Sequence, residues 1–454
     1  MFQFLKKYIP ADFFLRLWYH KTMTFFAALY YGFPARNMMV IGVTGTDGKT
    51  TTSTLIHTIL STAGYTVGLT STTHFAISGE KWTNTTHKTT LGRFYLQKML
   101  KKMKIAGCTH LVLEVSSHAL EQGRIIGIPI DIAVMTNMSN EHLDFHKTFS
   151  RYKKAKLKLF HKLMYSRKSN IPKTAIYNLN DNTAHDILNI PVEHYIGYGI
   201  DGEKVDIDAL DMKEIGNLMI AEGVLCNHNG TSFSLRYRDS IEQFSLQLIG
   251  KYNISNALAA ISVASVLNIE ASYVKEALAT MKVIPGRFEI VVDAGPLVAI
   301  DYAVTENAFR QLFTTARSFV KGKLIIVFGS CGDRDTSKRF GLGEVASHFC
   351  DVCIITDEEP YTEDPAIIRG MILEGVDKEK TECHEIPDRK DAIKKALEIA
   401  DDQDMILVTG MGDQTSMIVG TKKIPWSDRE VICEEWNRKS KVKSQRSEVK
   451  GEKV

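Results

Sequence analysis

Residues 39–64 contain the residue types that bind a nucleotide phosphate. An apolar run at 40–43 has the pattern of a short buried strand, and the segment 51–64 has the apolar spacing of a helix. Glycines between a strand and a helix let backbone N–H groups close around phosphate oxygens, while a lysine reaches the terminal phosphates and a hydroxyl can ligate Mg²⁺. We therefore predict an ATP site formed by Gly45, Thr46, Asp47, Gly48, Lys49, Thr50 and Thr51.

The spacing of this turn differs from the general nucleotide-binding pattern. Two residues separate Gly45 from Gly48, whereas the general pattern has about four. An ordinary glycine turn that caps a helix is the alternative interpretation. The position of the turn directly after an apolar strand favours phosphate binding.

The composition is that of an ordinary globular protein with about two or three domains, since 44% of its 454 residues are hydrophobic and 24% are charged. A formal net charge of +3 gives no reason to expect nucleic-acid binding. The seven cysteines are scattered, and Cys350 and Cys353 lie in an apolar run that predicts a buried strand rather than a zinc or redox site. We expect reduced thiols and a cytoplasmic protein.

An aromatic segment precedes the phosphate turn at residues 13–31. Arg16, His20 and Lys21 interrupt it, so no uncharged run is long enough to span a bilayer. We predict an amphipathic helix that packs on the body of the protein. A helix lying on a membrane surface is the alternative.

Strand and helix patterns alternate through most of the chain. Apolar runs at 66–69, 110–115 and 131–136, with a helical stretch at 94–104, predict a mostly parallel sheet that binds ligands at the carboxyl ends of its strands. Alternation at 205–248 predicts an antiparallel excursion.

The predicted fold class is therefore α/β, with a phosphate-loop central domain followed by a second, Rossmann-like α/β domain beyond a hinge at Pro285 and Gly286. The Lys, Ser and Glu residues at the end predict a disordered, solvated tail. The predicted boundaries are 1–37 for an amino-terminal helical segment, 38–285 for the central ATP-binding domain, 286–437 for the second domain and 438–454 for the basic tail.

Motifs along residues 40–431 resemble those of the Mur ligase family. Several would be weak alone, but they occur here in the family's order. They read VIGVTGTDGKTTT, NTT, EVSSHAL, HLDFH, YKKAKLKLF, KYNISNALAA, PGRFE, GDRD, TEDP, DRKDAI and IPWSDREV.

This resemblance implies an ATP-dependent ligase of peptidoglycan precursor synthesis. ATP would phosphorylate a carboxylate of UDP-N-acetylmuramoyl-L-alanyl-D-glutamate, and an amino acid such as diaminopimelate or lysine would attack the acyl phosphate to form an amide. Charge gathers on the transferring phosphoryl group, so Mg²⁺ and cationic side chains must surround it. We expect a monomer.

The resemblance also assigns roles to residues. Lys49 would contact phosphates, and Lys156 would be a magnesium ligand after conversion to a carbamate. Glu114 follows a buried apolar run, where a carboxylate without a cation would be costly. A loop histidine and a surface lysine are the alternatives for His142 and Lys156. The implied metal ligands are Thr50, Glu114, His142 and Lys156; those implied for nucleotide binding and domain coupling are Asn253, Asn256, Arg287 and Asp301.

Residues that match the family's contacts to the acceptor are Thr85, Thr86, Ser116 and Arg124. An arginine suits a carboxylate because its guanidinium binds in two places. A helix-surface arginine is the alternative for Arg124. Because 38 residues precede the first strand, we expect the family's usual amino-terminal domain, which holds the uridine diphosphate end, to be absent.

The amino-acid pocket departs from the family pattern. Diaminopimelate-adding members carry Asp-Asn-Pro-Arg where this chain has Glu358-Glu359-Pro360-Tyr361, Gly-Lys-Gly-His-Glu where it has Gly410-Met411-Gly412-Asp413-Gln414, and a histidine at Val304. Two glutamates suit a side chain that ends in an amine, such as lysine or ornithine. Unchanged specificity is the alternative. The candidate pocket residues are Arg334, Glu358, Glu359, Tyr361, Gly410 and Gln414.

Two other functions stay open at this point. One is a related ligase with a different acceptor, of the folylpolyglutamate type, against which the EVSSHAL and NTT motifs argue. The other is a non-catalytic scaffold that binds nucleotide. The presence of Lys49, Glu114, His142 and Asp301 argues against a scaffold; the full candidate catalytic set is Lys49, Glu114, His142, Lys156, Arg287 and Asp301.

Overall fold

The computed structural model describes residues 14–86, 88–166, 170–203, 217–238 and 240–451, and it leaves out the side chains of residues 14 and 442–451. The chain divides into two compact units after Lys282. In the described residues, the first unit contains a sheet of eleven strands in the order β11-β10-β9-β8-β7-β6-β1-β5-β2-β3-β4. They are β1 (Met39–Thr44), β2 (Val67–Thr70), β3 (His74–Ile77), β4 (Glu80–Thr83), β5 (His110–Glu114), β6 (Ile132–Met135), β7 (Thr174–Asn178), β8 (His194–Ile200), β9 (Asn217–Asn227), β10 (Gly230–Tyr237) and β11 (Ser240–Leu246).

Strands β2 and β5 to β9 run parallel to β1, and antiparallel hairpins extend the sheet at both edges. The mostly parallel sheet and the antiparallel excursion are confirmed for the described residues; positions 204–216 and 239 of the excursion lie outside them. Parallel strands that are apolar throughout require cover on both faces. Helices supply it: α1 (Phe14–Tyr30), α2 (Lys49–Thr62), α3 (Arg93–Ile105), α4 (Ser117–Glu121), α5 (Leu143–His146), α6 (Phe149–Met164), α7 (Ala184–Leu188), α8 (Lys251–Val266) and α9 (Ala271–Thr280).

Apolar side chains of α3 and α6 form one core with β1 and β5, and α2 packs against α8. In α6, residues at helical spacing are fully buried, among them Leu159 and Phe160. This burial fixes the rotation of α6 and therefore determines which of its lysines points inward.

The second unit has a six-stranded sheet in the order β12-β13-β17-β14-β15-β16, parallel except for β12. Its strands are β12 (Glu289–Asp293), β13 (Leu297–Asp301), β14 (Leu324–Phe328), β15 (Val352–Ile355), β16 (Glu382–Glu385) and β17 (Met405–Thr409), with a separate hairpin of β18 (Ser416–Val419) and β19 (Lys422–Pro425). Its helices are α10 (Glu306–Arg317), α11 (Lys338–Phe349), α12 (Pro365–Leu373), α13 (Arg389–Ile399) and α14 (Asp428–Gly451). The second α/β unit is thus confirmed, and Cys353 lies on the buried strand β15. All seven cysteines are free.

The end of the chain differs from the sequence prediction. A disordered tail was expected from residue 438, but α14 continues as helix to Gly451; residues 452–454 lie outside the described part. Lys, Arg, Gln and Glu are good helix formers, and a helix already begun at Asp428 needs no new nucleus. The scarcity of apolar residues after residue 437 therefore did not end helix α14.

Within the described residues, no helix combines the length and the apolarity that crossing a membrane requires.

His57 on α2 makes the stability of the first unit depend on pH. It is 3% exposed, and neither ring nitrogen has a hydrogen-bond partner in the described residues. Burial, with smaller contributions from Lys81 and His74, lowers the pKa of His57 from 6.5 to about 3. Below the ordinary pKa of 6.5, His57 therefore binds more protons in the unfolded state than in the folded state. The free energy of unfolding is therefore highest above that pH and decreases as the pH falls.

We expect this residue alone to lower the free energy of unfolding by about 2 kcal/mol between about pH 7 and about pH 5. Urea denaturation at several pH values measures it. The variant His57→Leu should lose this part of the pH dependence, whereas His185→Gln at an exposed position should keep it. Parallel pH profiles for His57→Leu and the unmodified chain would contradict the assignment.

Candidate active site

The predicted phosphate turn lies between β1 and α2. Gly45 has a φ of 148° and Gly48 a φ of 78°, in a region that residues with a side chain rarely adopt. A Cβ at Gly45 would lie 1.8 Å from the hydroxyl of Thr136, and one at Gly48 would lie 2.2 Å from Oδ1 of Asn256. Both glycines are therefore required by close approach as well as by backbone conformation.

The segment after β6 holds the turn in place. Asn137 accepts hydrogen bonds from the backbone N–H groups of Thr46 and Asp47, each at 2.9 Å, through its carbonyl and its side chain respectively. The hydroxyl of Thr136 donates to the Asp47 carbonyl at 2.6 Å. These bonds fix the turn before any ligand binds.

Lys49 and Asn256 both reach the turn. The Lys49 ammonium donates to the carbonyl of Thr46 at 2.6 Å. Asn256 accepts from the Thr52 hydroxyl at 3.2 Å and donates to Asn253 at 3.1 Å. Asn253 thus supports Asn256 without touching the turn itself in these contacts.

Glu114 ends β5 with its carboxylate buried at 1% exposure. The Thr50 hydroxyl lies 3.2 Å from both carboxylate oxygens, and Thr72 donates its backbone N–H at 2.8 Å and its hydroxyl at 2.9 Å. None of the described residues forms an ion pair with Glu114. A buried anion that contacts only neutral donors is costly, and hydroxyl and carboxylate oxygens are the ligands that Mg²⁺ prefers. Thr50 and Glu114 therefore fit a magnesium ion.

Lys156 is buried inside the protein, not on its surface as the simplest interpretation of a basic segment would have it. Its ammonium donates to the carbonyl of Gly45 and lies 4.6 Å from the ring centroid of Tyr152. Burial, followed by the repulsion of Lys49, holds the pKa of Lys156 well below its usual range. This favours the neutral amine, which is the form that reacts with CO₂ to give a carbamate.

His142 stands at the amino end of α5 with a left-handed φ of 56°. Its Nε2 lies 3.5 Å from the carboxylate of Glu141. Burial lowers the pKa of His142, and Glu141 opposes that shift. The ring centroid of His118 lies 4.8 Å from that of His142 and 5.5 Å from that of His146. No described cluster of three or more His, Cys, Asp or Glu side chains is arranged to hold a metal, so the proposed ligand set depends on Thr50 and Lys156.

Two of the four residues assigned to the acceptor, Ser116 and Arg124, meet at Thr90. Its hydroxyl donates to the carbonyl of Glu114 at 3.1 Å and accepts from the backbone N–H of Ser116 at 3.0 Å. Arg124 donates to the Thr90 carbonyl at 2.8 Å and to the neutral side chain of Gln122. Among the described residues no carboxylate pairs with Arg124, which suits the binding of a substrate carboxylate.

The NTT segment, residues 84–86, lies nearby, because the Asn84 side chain donates to the carbonyl of Ser71 at 2.8 Å and the adjacent Thr72 bonds the Glu114 carboxylate. Thr85 is exposed, whereas Thr86 donates its hydroxyl to Asn84 at 2.6 Å. Thr85 and Thr86 therefore lie in the same loop but differ in their exposure to solvent.

In the second unit, Asp301 ends β13 with both carboxylate oxygens occupied. They accept the backbone N–H groups of Phe288 and Ala303, each at 2.7 Å. Burial raises the pKa of Asp301, and Arg287 partly offsets the shift. The Arg287 guanidinium lies 4.6 Å from the ring centroid of Tyr302. Asp301 thus positions the segment that carries Arg287.

The predicted pocket residues gather at the carboxyl ends of β14, β15 and β17. Glu358 is 3% exposed; its Oε1 accepts from the thiol of Cys331 at 3.0 Å, and its Oε2 has no partner among the described residues. A Cβ at Gly410 would lie 2.1 Å from this free oxygen. Burial and the adjacent Glu358 raise the pKa of Glu359, which accepts from the hydroxyl of Tyr361 at 3.4 Å.

Arg334 is near this acidic pair, with its guanidinium 5.4 Å from the Tyr361 ring centroid. Gln414 leaves its buried Oε1 without a partner in the described residues. The pocket therefore combines two carboxylates with one arginine.

Sequence reasoning did not find Thr72, Thr90 or Tyr152. Thr72 follows the end of β2, where parallel-sheet topology collects ligands, so its position was the signal available. Tyr152 accompanies Lys156 in the YxxAK motif and bonds the Thr46 hydroxyl at 3.0 Å. Thr90 had no distinguishing pattern.

A strand, a glycine turn that fits phosphate and a buried carboxylate beside a hydroxyl define the class of a phosphate-loop, nucleotide-dependent enzyme. Comparison with known families specifies it further. Residues 43–264 match the Mur ligase middle domain, and residues 286–412 match the Mur ligase, glutamate ligase domain. The chain belongs to the Mur ligase family. It is accordingly an ATP-dependent ligase that forms carbon–nitrogen bonds.

Similar proteins include a UDP-N-acetylmuramoyl-L-alanyl-D-glutamate--2,6-diaminopimelate ligase of Clostridium botulinum, 37% identical over 417 residues that cover 91% of this chain and 81% of the relative. A UDP-N-acetylmuramyl-tripeptide synthetase of Roseiflexus sp. is 37% identical over 414 residues, covering 88% of this chain and 79% of the relative.

Two solved structures are similar to this chain in fold. That of a UDP-N-acetylmuramoyl-L-alanyl-D-glutamate--2,6-diaminopimelate ligase has a TM-score of 0.59 and 30% identity, covering 89% of this chain and 79% of the other. That of a MurF ligase from Thermotoga maritima in complex with ADP has a TM-score of 0.63 at 18% identity, covering 93% and 84%. The predicted α/β fold class is confirmed.

Proposed function

We propose that this ligase adds an amino acid to UDP-N-acetylmuramoyl-L-alanyl-D-glutamate in peptidoglycan precursor synthesis. The observation that carries the proposal is the buried Glu114 carboxylate, which bonds Thr50 beside the phosphate turn and forms no ion pair among the described residues. The names of the similar ligases support the choice of acceptor. The Arg124 guanidinium, which donates to the neutral Thr90 carbonyl, is suited to bind the carboxylate of this acceptor.

The first step is phosphoryl transfer. The N–H groups of the glycine turn and the Lys49 ammonium bind the ATP phosphates, and the acceptor carboxylate attacks the terminal phosphorus to form an acyl phosphate and ADP. Thr50, Glu114, His142 and a carbamate on Lys156 would hold Mg²⁺, which neutralises charge on the phosphoryl oxygens.

In the second step, the amine of the incoming amino acid attacks the carbonyl carbon. The carbon–oxygen bond to phosphate breaks, inorganic phosphate leaves, and the nitrogen loses a proton as the amide forms. Water would hydrolyse the acyl phosphate. The site must therefore exclude water until the amine has attacked.

The acidic pocket of the second unit leads us to propose that the amino acid ends in an amine, as lysine and ornithine do. The free Oε2 of Glu358 is buried and would accept a hydrogen bond from an ammonium group. Arg334 is left to bind the α-carboxylate. Diaminopimelate, the substrate in the names of the relatives, is the competing candidate because it also carries a distal amine.

Phosphate release from Mg-ATP tests the proposal, with the acceptor or the amino acid omitted in turn. We expect turnover only when both are present, with lysine or ornithine used in preference to diaminopimelate. Turnover that needs no muramyl dipeptide would overturn the acceptor assignment. A clear preference for diaminopimelate would overturn the pocket assignment and leave the acceptor standing.

Glu358→Gln should lower kcat/KM for lysine by about tenfold, because a charge-assisted hydrogen bond of about 2 to 3 kcal/mol becomes a neutral one of about 1 kcal/mol. The control is Glu382→Gln, an exposed glutamate of the same unit that pairs with His384. Steady-state kinetics with lysine varied and the acceptor saturating give the ratio. Equal effects of the two substitutions would show that Glu358 does not contact the amino acid.

A further inference from the structure

Helix α1 faces the protein with its small and polar residues. His20, Thr24, Ala27 and Ala28 are buried, although the large apolar side chains of the helix lie elsewhere on it. The opposite arc is exposed, with Trp18 at 66% and Tyr30 at 78%. At about 100° per residue this arc spans less than half of the helix circumference and is apolar except for Thr22. The exposed residues are Leu15, Trp18, Tyr19, Phe25, Phe26, Leu29 and Tyr30.

Close packing fixes this orientation. A Cβ at Gly127 would lie 2.7 Å from the Cβ of Ala28, and one at Gly123 would lie 2.7 Å from the side chain of Lys21. Only a face of small residues can approach the backbone this closely. The large aromatic side chains therefore cannot turn inward without lifting the helix, and an apolar patch of this size marks a binding surface.

The neighbouring helix α3 adds positive charge to this surface. It packs against α1, with the Arg93 guanidinium 5.7 Å from the ring centroid of Tyr19. Its exposed side is basic and apolar, consisting of Phe94, Tyr95, Lys98, Lys101, Lys102, Lys104 and Ile105. Neither helix contains an Asp or a Glu, and the short 3-10 helix Pro34–Asn37 between them adds Arg36.

We propose that this surface, which we call the aromatic face, docks the protein onto a membrane that contains anionic phospholipid. Trp, Tyr and Phe are the residues that settle at the level of lipid headgroups, and lysines beside them are attracted to anionic lipid. A second copy of the chain is disfavoured because two faces with positive charge and no carboxylate repel each other. Helix α1 packs on the body of the protein, as predicted, and its exposed arc is the part that we propose to contact the membrane.

Docking would hold the enzyme close to the bilayer. The proposal does not depend on the ligase chemistry. The test uses the full chain in sedimentation with vesicles of phosphatidylcholine alone and of phosphatidylcholine mixed equally with phosphatidylglycerol. We expect binding to the mixed vesicles, weak binding to the neutral ones, and release as the salt concentration rises.

Two variants address the two components of the face. Trp18→Ser with Phe26→Ser, and separately Lys98→Gln with Lys101→Gln, should each weaken vesicle binding by about tenfold or more. These positions are exposed, so the fold should persist, and ATP turnover in solution should be unchanged. The control, Leu225→Ser with Ile241→Ser, removes two exposed apolar residues elsewhere and should not alter binding.

Failure of the unmodified chain to bind mixed vesicles would overturn the proposal. So would sedimentation velocity showing a dimer that Trp18→Ser with Phe26→Ser converts to a monomer, because the occupant would then be a second copy. Neither outcome touches the proposed ligase function, which the solution assay tests separately.

Discussion

Replacement of Glu114 by Gln should reduce ATP-dependent product formation by about a thousandfold, the scale on which preorganised electrostatic groups act on a transition state. Glutamine keeps the size of the side chain and can still accept from the backbone N–H of Thr72. It lacks the negative charge that we propose to hold Mg²⁺ with Thr50. The chain should therefore fold normally and bind the metal poorly.

Titration of turnover with Mg²⁺ separates a metal defect from general damage. The concentration needed for half-maximal activity should rise in Glu114→Gln, while the thermal unfolding midpoint stays near that of the unmodified chain or rises, since a buried charge has been removed. Glu80→Gln, an exposed glutamate on β4, is the matched control. A normal magnesium requirement in Glu114→Gln would refute the metal assignment.

Replacement of Lys156 by Ala should also lower turnover by about a thousandfold. The physical reason is that we propose a carbamate on this buried amine, whose pKa is depressed and which contacts Gly45 of the phosphate turn. An alanine leaves space beside Gly45 and Tyr152 that a small carboxylic acid can fill. Added acetate or propionate should therefore restore part of the activity.

Lys154→Ala provides the comparison, because Lys154 lies on the same helix but is exposed and should be dispensable. Intact-protein mass measured in bicarbonate should show a CO₂ adduct on the unmodified chain that is missing in Lys156→Ala. Full activity of Lys156→Ala in bicarbonate-free buffer would eliminate the carbamate.

The sequence was most informative where chemistry depends on local order. The phosphate turn could be predicted because glycines, a lysine and a threonine occur consecutively between a strand and a helix. Glu114 could be predicted because a carboxylate at the end of an apolar strand is physically costly without a cation.

Contacts made by tertiary structure could not be found in this way. Thr72 reaches Glu114 only because β2 pairs with β5 in parallel register, with Thr70 opposite Leu113. Burial of Lys156 follows from the rotation of α6, which a run of lysines conceals. The outward aromatic face of α1 was equally hidden, because amphipathic spacing does not say which face meets the protein.

The extension of α14 shows a different limit. Composition predicted disorder from residue 438 because almost no apolar residues remain to be buried, yet helix propensity and an existing helix suffice to continue the backbone. Apolar content thus predicts packing better than it predicts secondary structure.

The most direct test of the acyl-phosphate account follows an oxygen atom. The muramyl dipeptide acceptor is prepared with heavy oxygen in the carboxylate that becomes the amide, and the phosphate released from Mg-ATP in the presence of the amino acid is analysed by mass. Carboxylate attack on the terminal phosphorus predicts that each phosphate carries a heavy oxygen from the acceptor. Unlabelled phosphate, formed at the same rate as the amide, would contradict the mechanism assigned to this site.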